Sequence, residues 1–446
     1  MLSVLNQPMA YPVKSYGGKI GELMVIYIND CPHNLKKITE ELKIIFKERL
    51  NDVYNAYTRT YLIEKYGHLF IDKFKPKEIN KPLDLINNKS LDLPQEISLT
   101  KFLEERVRET NAQLQVTGVT VHEVPIINIP PVIADTDRET QYWIQDYFLS
   151  MQDENGKSWY PVYSENAPIA CAIAKYLTAK RPTSMMNLKA PFSSELAELE
   201  GGNFLFGNNF ALTNMDVPLY NLRKDPGMSL NSLIEQLKYL LNVKVTWLGD
   251  RYSGYALPYQ VRDLHLDMVL TLGEENNNEQ IVYLAELGAN YYGENGKLFN
   301  EYFNEYSSRR NVWYWVQSYL ENIKIDLERS LERKFKIIRI PCVMTFDADK
   351  NSNKDVHPPW YLRTFNNCIS ETINDNKIIY LPCYDGSSNN EEDIINFKQL
   401  HIDVELAYIN NGFKKAIFIN APKEFDQLAL KGGALNCITK ILYRKP

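Results

Sequence analysis

Short apolar runs alternate with amphipathic stretches along most of this chain. Apolar residues recur at helical spacing between Pro32 and about Leu50, which predicts an amphipathic helix. Further helices are predicted at three places: about 165–180, 229–242 and 391–411. Strands are predicted at nine places: 22–28, 112–129, 203–214, 243–248, 263–272, 281–286, 335–346, 377–382 and 415–420. Because strands and helices alternate, the pattern predicts an α/β fold.

Two longer helical stretches interrupt this alternation. One covers residues 51–106, with a polar interruption rich in Pro and Asn at 75–95, and the other covers about 297–334. No clear linker or low-complexity segment separates either stretch from its neighbours. We therefore predict a single domain over residues 1–446, decorated by helical insertions at about 51–106 and 297–334.

Composition narrows the class of protein. Of the 446 residues, 44% are hydrophobic and 24% are charged, a balance that suits a large folded core. The net charge is -6 and there is no basic stripe, so we expect no nucleic-acid partner. No window of about 18 apolar residues is present, so we expect no membrane span.

The cysteines and the first residues indicate a compartment. The six cysteines have no paired spacing, so neither a disulfide framework nor a zinc site is predicted. A reducing compartment is the default for such a chain. The first residues lack the apolar core of a secretory signal. We expect a cytoplasmic protein, or one exported without a cleavable signal peptide.

A glycine pair precedes a cysteine near the end of the sequence. Gly432 and Gly433 would let the backbone approach a ligand closely, and Cys437, four residues after the pair, would be placed to act on it. A free cysteine is equally at home in an apolar core, where it behaves as a small hydrophobe. Cys437 alone therefore does not decide between chemistry and packing.

The segment 263–272 alternates between apolar and mostly polar residues. As a strand, it would place His265 and Asp267 on the same face, roughly 7 Å apart. An imidazole beside a carboxylate can perform acid–base chemistry. The alternative is an edge strand whose outer face is simply solvated.

Two further carboxylates stand in distinctive surroundings. Glu200 directly precedes the pair Gly201 and Gly202, which suits a carboxylate presented at a tight turn beside a ligand. Asp146 lies within an aromatic run, where a charge is costly unless it is exposed, paired or needed to bind a cation. A plain turn leading into a strand and an exposed surface position are the alternative explanations.

Together, the acidic groups, the histidine and the cysteine match the needs of one reaction. A guanidinium is a planar, permanent cation that carboxylates can hold by paired hydrogen bonds. Its central carbon is a poor electrophile, so a thiolate suits it better than a hydroxyl. The departing nitrogen needs a proton, which a histidine can supply.

In this order, the four segments resemble the guanidino-group-modifying superfamily, which comprises arginine, agmatine and protein-arginine deiminases and amidinotransferases. The resemblance covers about residues 110–446 and, more weakly, 20–50. It implies a five-bladed α/β propeller, or pentein fold, with pseudo-fivefold symmetry and a site in the central channel. The alternation of strands and helices agrees with such a fold, and residues 377–420 would form its last blade.

The resemblance also implies roles for individual residues. Cys437 would be the nucleophile, and His265 would be the general acid and then the base. Asp146 and Asp267 would bind the guanidinium nitrogens. Glu200 would orient the histidine or assist binding. Further substrate-binding positions would be the following: Trp143, Gly202, Asn203 and Gly433. No metal and no redox cofactor are implied.

The resemblance does not fix the subfamily. Trp143 to Asp146 resembles protein-arginine deiminases, which favours peptidyl arginine as substrate. Two other segments, Glu200 to Asn203 and Phe365 to Asn367, are more similar to the agmatine type. Asn436 stands where many relatives carry a histidine. Calcium dependence of the vertebrate kind is not expected, because Leu149 stands where a calcium-binding glutamate would be and only Gln145 could match one ligand.

We therefore predict a deiminase that converts arginine, preferably in a protein, to citrulline and ammonia. The alternatives are a deiminase of agmatine or free arginine, an amidinotransferase that uses the same residues, and a non-catalytic binding module on the same scaffold. The partner would be an arginine-containing protein or a small guanidino compound. The sequence gives no oligomeric state.

Overall fold

The computed structural model of the chain describes these residues: 10–26, 35–46, 126–129, 143–153, 159–163, 173, 188–189, 200–214, 217, 227, 229–249, 264–276, 278–304, 307–331, 333–346, 360–387 and 394–445. Contacts divide the chain into two units, Met1–Leu42 with Pro125–Pro446, and Lys43–Val124. The elements discussed below belong to the first unit, apart from the end of the helix at 35–46. The helical stretch predicted at 51–106, most of the strand predicted at 112–129 and nearly all of the helix predicted at 165–180 lie outside the described residues.

Many of the described residues of the first unit belong to β-strands. In chain order they are β1 (Ala10–Pro12), β2 (Lys19–Ile26), β3 (Ile126–Ile129), β4 (Leu149–Asp153), β5 (Trp159–Tyr163), β6 (Leu188–Lys189), β7 (Phe204–Phe206), β8 (Phe210–Asn214), β9 (Lys244–Leu248), β10 (Leu270–Asn276), β11 (Glu279–Leu287), β12 (Lys334–Phe346), β13 (Trp360–Arg363), β14 (Ile369–Ile373), β15 (Asn376–Pro382), β16 (Lys415–Ile419) and β17 (Thr439–Lys445).

Helices lie between many of these strands. Those described are α1 (35–46), α2 (Leu230–Leu241), α3 (Leu266–Val269), α4 (Phe299–Asn304), α5 (Ser307–Glu328), α6 (Phe397–Ile409) and α7 (Pro422–Ala429). The helical stretch predicted at 297–334 is thus observed as α4 and α5, followed by β12. No described helix is long and apolar enough to span a membrane.

The strands form five small sheets that share one pattern. In each sheet an antiparallel pair is extended by a third strand parallel to its second member. The five sets are β4-β5-β6, β7-β8-β9, β10-β11-β12, β14-β15-β16 and β17-β2-β3. β1 and β13 each add a fourth strand to one sheet. The α/β class predicted from the sequence is confirmed, and the same unit recurs in each of the five sheets described.

The module around α2 shows how the sequence specifies one such unit. The Ser229 side chain accepts a hydrogen bond from the Ser232 amide and begins the helix. Leu233, Leu237 and Leu241 follow at helical spacing and are fully buried against the strands of the β7-β8-β9 sheet. Asn242 then ends the helix with a left-handed backbone conformation (φ 51°), which asparagine tolerates.

The strand predicted over 263–272 is wrong in its first half. His265 precedes a single helical turn, α3, and the extended strand β10 begins only at Leu270. Burial explains the error, because every residue from Leu266 to Leu270 is buried, Asp267 included. An alternation of residue types therefore does not correspond to two faces of a strand here, and His265 and Asp267 do not share a strand face.

Other boundaries also differ from the predictions. The strand predicted over 203–214 is a hairpin, because Asn209 adopts a left-handed conformation (φ 60°) in the turn between β7 and β8. The helix predicted over 391–411 begins at Phe397, where the Asn396 side chain accepts a hydrogen bond from the Gln399 amide. The pattern predicted neither α7 nor β17, the two elements that flank Cys437.

Candidate active site

The candidate residues lie just before the first strand of each of the five antiparallel pairs. We call these positions the leading turns. They are 144–146 before β4, 201–203 before β7, 266–269 before β10, 366–367 before β14, and 436–437 before β17. Because the sheets share one pattern, equivalent backbone positions of all five contribute to a single polar cluster.

The first leading turn carries Asp146. It is a short 3-10 turn that the buried side chain of Ile144 anchors. The Gln145 amide donates to the Cys437 carbonyl at 3.2 Å, which ties this turn to the segment of the cysteine. The Asp146 Oδ1 atom accepts a hydrogen bond from the Gly202 amide at 3.0 Å. Burial raises the pKa of Asp146, and the charge of His265 opposes that rise.

The second leading turn presents Glu200 and Asn203. Asn203 is buried, and its Nδ2 group donates to Glu200 Oε2 at 3.2 Å. The Asn203 Oδ1 atom in turn accepts from Asn214 Nδ2 at 2.9 Å. Glu200 is the more exposed partner, with 43% of its side chain accessible. Asn203 therefore holds Glu200 in place and does not itself point into open space.

His265 connects the first three leading turns. Its Nε2 atom lies 3.0 Å from Glu200 Oε2, and its Nδ1 atom lies 3.6 Å from Asp146 Oδ1. Burial alone would lower the pKa of His265, but the carboxylates of Asp146 and Glu200 raise it to about 10. In the ligand-free protein the histidine is therefore an imidazolium at neutral pH.

Asp267 is the most deeply buried carboxylate of the cluster, at 2% exposed. Its Oδ2 atom accepts a hydrogen bond from Asn436 Nδ2 at 2.8 Å, whereas its Oδ1 atom has no hydrogen-bond partner among the described residues. Burial and the charge of Asp146 raise the pKa of Asp267 to about 7, against the opposing effect of His265. An unpaired buried oxygen of this kind is costly unless a ligand supplies a donor.

Cys437 is buried, at 4% exposed, beside Asn367. The Asn367 Nδ2 group donates to Cys437 Sγ at 3.1 Å, and Asn367 Oδ1 accepts from the Cys437 amide at 3.2 Å. Burial and the charges of Asp267 and Asp146 raise the pKa of the Cys437 thiol well above its ordinary value. The thiol is thus protonated in the ligand-free protein and close to two carboxylates.

The remaining predicted residues flank this cluster. A Cβ atom at Gly433 would lie 2.4 Å from the Trp143 ring, so the glycine allows the indole to pack against the loop before Cys437. The structure thus brings together all nine predicted site residues. They include His265 and Asp267, which were wrongly predicted to share one face of a strand. Their chemical roles remain predictions.

Three residues of the cluster were not among the predicted site residues: Asn367, Lys440 and Asn436, which donates to Asp267. Asn367 supplies the fourth leading turn, and its signal in the sequence is the resemblance of Phe365 to Asn367 to the agmatine type, which assigns it no role. Lys440 follows Cys437 by three residues, and its Nζ atom donates to the Gln145 carbonyl at 3.0 Å. Among the described residues, no group of three or more His, Cys, Asp or Glu could hold a metal ion.

Comparison with known proteins identifies the fold. No protein-family model and no curated protein matches the chain. A solved structure provisionally assigned as an agmatine deiminase matches 98% of this chain and 96% of its own, at 13% identity and a TM-score of 0.50. The chain has the fold of the guanidino-modifying superfamily. The resemblance predicted from the sequence is therefore confirmed at the level of the fold.

Other solved structures with the guanidino-modifying fold match with lower scores. The C. jejuni agmatine deiminase covers 99% of this chain and 98% of its own, at 13% identity and a TM-score of 0.48. A Porphyromonas gingivalis structure provisionally assigned as an arginine deiminase covers 80% of this chain and 94% of its own, at 15% identity and a TM-score of 0.43.

Gly202 allows a first test of how closely His265 and Asp146 pack in the cluster. A Cβ atom there would lie 2.5 Å from His265 Nδ1 and 3.0 Å from Asp146 Oδ1, so Gly202→Ala must displace one of these side chains. Overpacking of this kind costs about 1–3 kcal/mol. We expect the variant to lose about ten- to a hundredfold in kcat/KM for a guanidino substrate. The measurement is a steady-state assay of the ureido product, beside a thermal melt.

Gly288→Ala is the matched control for this variant. Its added carbon would lie 2.4 Å from the Tyr291 ring, a comparable clash away from the leading turns. The control should change thermal stability without a comparable loss of kcat/KM. Wild-type kcat/KM in Gly202→Ala would contradict the close packing of His265 and Asp146 around Gly202.

Proposed function

We propose that this protein is a guanidino hydrolase, a deiminase that works through a covalent intermediate on Cys437. The observation that carries the proposal is the convergence of three carboxylates, an imidazolium and a buried thiol, with the Asp267 Oδ1 atom left without a partner among the described residues. A planar cation with several N–H donors is the ligand that such a cluster accommodates. Asp146 and Asp267 would hold its two terminal nitrogens.

In the first half of the reaction, the Cys437 thiolate attacks the central guanidinium carbon. A C–S bond forms, and the imidazolium of His265 gives its proton to one terminal nitrogen. The C–N bond breaks and ammonia leaves, which produces a cationic thiouronium bound to Cys437 and a neutral His265. The position of His265 between Glu200 and Asp146 supports this role, since both carboxylates favour its protonated form before the step.

In the second half, a water molecule replaces the departed nitrogen. Neutral His265 takes a proton from this water, and the oxygen attacks the thiouronium carbon. The C–S bond then breaks as the hydroxyl proton of the intermediate passes to the departing sulfur, which releases the ureido product and regenerates the Cys437 thiol. The overall change is guanidinium plus water to a ureido compound plus ammonium, so atoms and charge balance without a redox step.

The protonated thiol of the ligand-free protein fits this chemistry. The same two carboxylates that would bind the substrate raise the pKa of Cys437. A guanidinium between Asp146 and Asp267 would neutralise their charge and add a positive one near the sulfur, and both effects lower the thiol pKa. The substrate itself would thus promote formation of the thiolate, and a site without substrate would remain unreactive.

A small guanidino compound is the substrate class that we favour, with agmatine first. The structure that matches this chain over nearly its full length at a TM-score of 0.50 is provisionally assigned as an agmatine deiminase. Free arginine is one alternative substrate. Peptidyl arginine, which the Trp143–Asp146 segment favoured in the sequence, is the other. An arginine-containing protein remains the partner in that case.

We also infer that the five sheets are the blades of a five-bladed α/β propeller. The shared strand pattern and the convergence of all five leading turns on one cluster support this architecture. In it, the leading turns would face a common channel, and one residue or pair from each blade would line the substrate site.

The deciding experiment is a colorimetric assay for the ureido group. Purified protein is incubated with agmatine, free arginine or an arginine-containing peptide, and Cys437→Ala is assayed in parallel. We expect product from one substrate, agmatine first, and none with the variant. If no substrate gives product with folded protein, either alone or with glycine or lysine added as an amine acceptor, the hydrolase proposal is wrong. A new guanidino compound formed from the acceptor, detected by mass spectrometry in the absence of ureido product, would indicate an amidinotransferase.

Ligand affinity should depend on the ionisation of Asp267. Its pKa is about 7 without ligand, and a guanidinium binds the carboxylate better than the neutral acid. Binding therefore lowers this pKa and releases protons, so affinity weakens as pH falls through 7. We expect about tenfold weaker binding at about pH 6 than at about pH 8.

Calorimetry with agmatine and the Cys437→Ala protein measures this pH dependence without turnover. The same titration in buffers of different ionisation enthalpy counts the protons released. An affinity that is constant between these two pH values, with agmatine bound, would show that Asp267 does not contact the cation.

A further inference from the structure

Lys440 is a buried cation that the proposed reaction does not use. It lies on β17, three residues after Cys437, and is only 5% exposed. Its Nζ atom donates to the Gln145 carbonyl at 3.0 Å and lies 5.2 Å from the centre of the Phe148 ring. A buried ammonium is costly unless nearby groups compensate its charge, so its position requires an explanation.

Lys440 lines a cavity of about 60 Å³. Its wall includes a second lysine, Lys14, and polar residues such as Asp267, Asn436, Ser150 and Thr271. Cys437, His265 and Glu200 do not line it, whereas Asp267 does, so the cavity meets the proposed substrate site at that carboxylate. Two oxygens on its wall residues, Asp267 Oδ1 and Ser150 Oγ, are buried without a hydrogen-bond partner among the described residues.

The size and chemistry of this cavity suit ordered water. A site holds water when it has room for at least one molecule and offers two or more polar partners, and this cavity meets both conditions. A water that accepts from Lys440 Nζ and donates to one lone pair of Asp267 Oδ1 would transmit the attraction between their charges. The second lone pair of Oδ1 would remain for a guanidinium N–H. Lys440 would then act on Asp267 across the cavity.

We propose that Lys440 is a positioning residue that favours the ionised form of Asp267 before substrate arrives, acting across the water-filled cavity. The charges around Asp267 act in opposite directions. Burial and the charge of Asp146 oppose its ionisation, whereas His265, the hydrogen bond from Asn436 and Lys440 favour it. His265 is shared with Asp146 and Glu200, so Lys440 supplies charge that the imidazolium cannot supply alone.

A purely structural role is the competing explanation, because Lys440 also anchors the Gln145 carbonyl. Lys440→Gln separates the two roles. Its amide can still donate to that carbonyl, but it carries no charge. Lys440→Arg keeps the charge and is the matched control.

The test is an NMR titration of ligand-free protein labelled with ¹³C at the aspartate carboxyls. The Asp267 signal is assigned by its loss in Asp267→Asn. We expect its titration midpoint to rise by about one pH unit or more in Lys440→Gln, since a nearby opposite charge shifts a carboxyl pKa by about 1–3 units. Lys440→Arg should stay closer to the wild type. An unchanged midpoint in Lys440→Gln would overturn the proposal.

A reciprocal measurement covers the case in which Lys440→Gln does not fold. The Lys440 signal of protein labelled with ¹³C at the lysine ε carbons is followed in the wild type and in Asp267→Asn. Burial lowers the pKa of Lys440 to about 7, and Asp146 and Asp267 oppose that shift. Removal of the Asp267 charge should therefore lower the midpoint further, and an unchanged midpoint would again contradict the proposal.

Only the consequence for substrate rests on the proposed function. If agmatine binds between Asp146 and Asp267, its affinity for Lys440→Gln should fall about tenfold at pH 7 and recover toward wild type at higher pH. A uniform loss at all pH values would indicate a structural role. The NMR titrations need neither ligand nor turnover, so failure of the deiminase proposal and failure of the Lys440 proposal are distinguishable.

Discussion

Cys437→Ala will reduce deiminase turnover by at least about 10⁴-fold while leaving the protein folded. Without sulfur no C–S bond can form, and the described leading turns offer no second thiol at this position. The cost to stability should be modest, about 1–2 kcal/mol, because the change removes one buried atom and the hydrogen bond from Asn367. A ureido assay under single-turnover conditions measures the activity, and urea denaturation measures the stability.

Cys342→Ala is the matched control for the loss of a buried thiol. Cys342 is fully buried in β12, where its Sγ donates to the Glu286 carbonyl at 3.4 Å. The control should retain wild-type turnover at a similar cost in stability. Appreciable activity in Cys437→Ala, or an equal loss in Cys342→Ala, would contradict a nucleophilic Cys437.

Asp267→Asn should have the second largest effect, on ligand binding. The amide removes the buried negative charge and exchanges one acceptor for a donor, which would oppose the N–H groups of a guanidinium and of Asn436. Breaking a buried ion pair costs about 3–5 kcal/mol. We therefore expect agmatine affinity to fall by about 10²- to 10⁴-fold. Calorimetry in the Cys437→Ala background measures binding without turnover.

Asp403→Asn provides the control for an aspartate-to-asparagine change. Asp403 lies on α6, away from the leading turns, and accepts hydrogen bonds from Tyr291 and Gln399. Its replacement should leave affinity unchanged. Undiminished affinity in Asp267→Asn at pH 8, with a normal thermal melt, would remove Asp267 from the guanidinium site.

The sequence predicts much of this fold because most elements bury one face. The leucine stripe of α2 and the apolar runs of β9, β15 and β16 lie close to their predicted limits. The strand prediction fails at Leu266 to Leu270 because all of these residues are buried. Alternation of residue types there gives no information about the direction of a side chain. The convergence of Asp146, Glu200 and Cys437 was predicted by resemblance, not by periodicity.

The residues missed by the sequence analysis share a different property. Asn367 acts on Cys437 through a pair of hydrogen bonds across 70 residues, whereas the resemblance of its segment to the agmatine type assigns this uncharged residue no role. Lys440 is a lysine within a short strand, a position that sequence alone assigns to solvent. Each is recognisable only after the fold has placed it beside a partner distant in sequence.

The pairing of β17 with β2 has a consequence for the order of folding. This pair joins segments at opposite ends of the chain, and the buried Arg444 extends the connection by donating to the Lys14 carbonyl across 430 positions. Contacts so distant in sequence are slow to form, because a long loop must close before they stabilise anything. Cys437 lies directly before β17. Recovery of activity during refolding should therefore lag behind the recovery of helix and sheet. Cys437 reaches its position only after β17 has paired with β2.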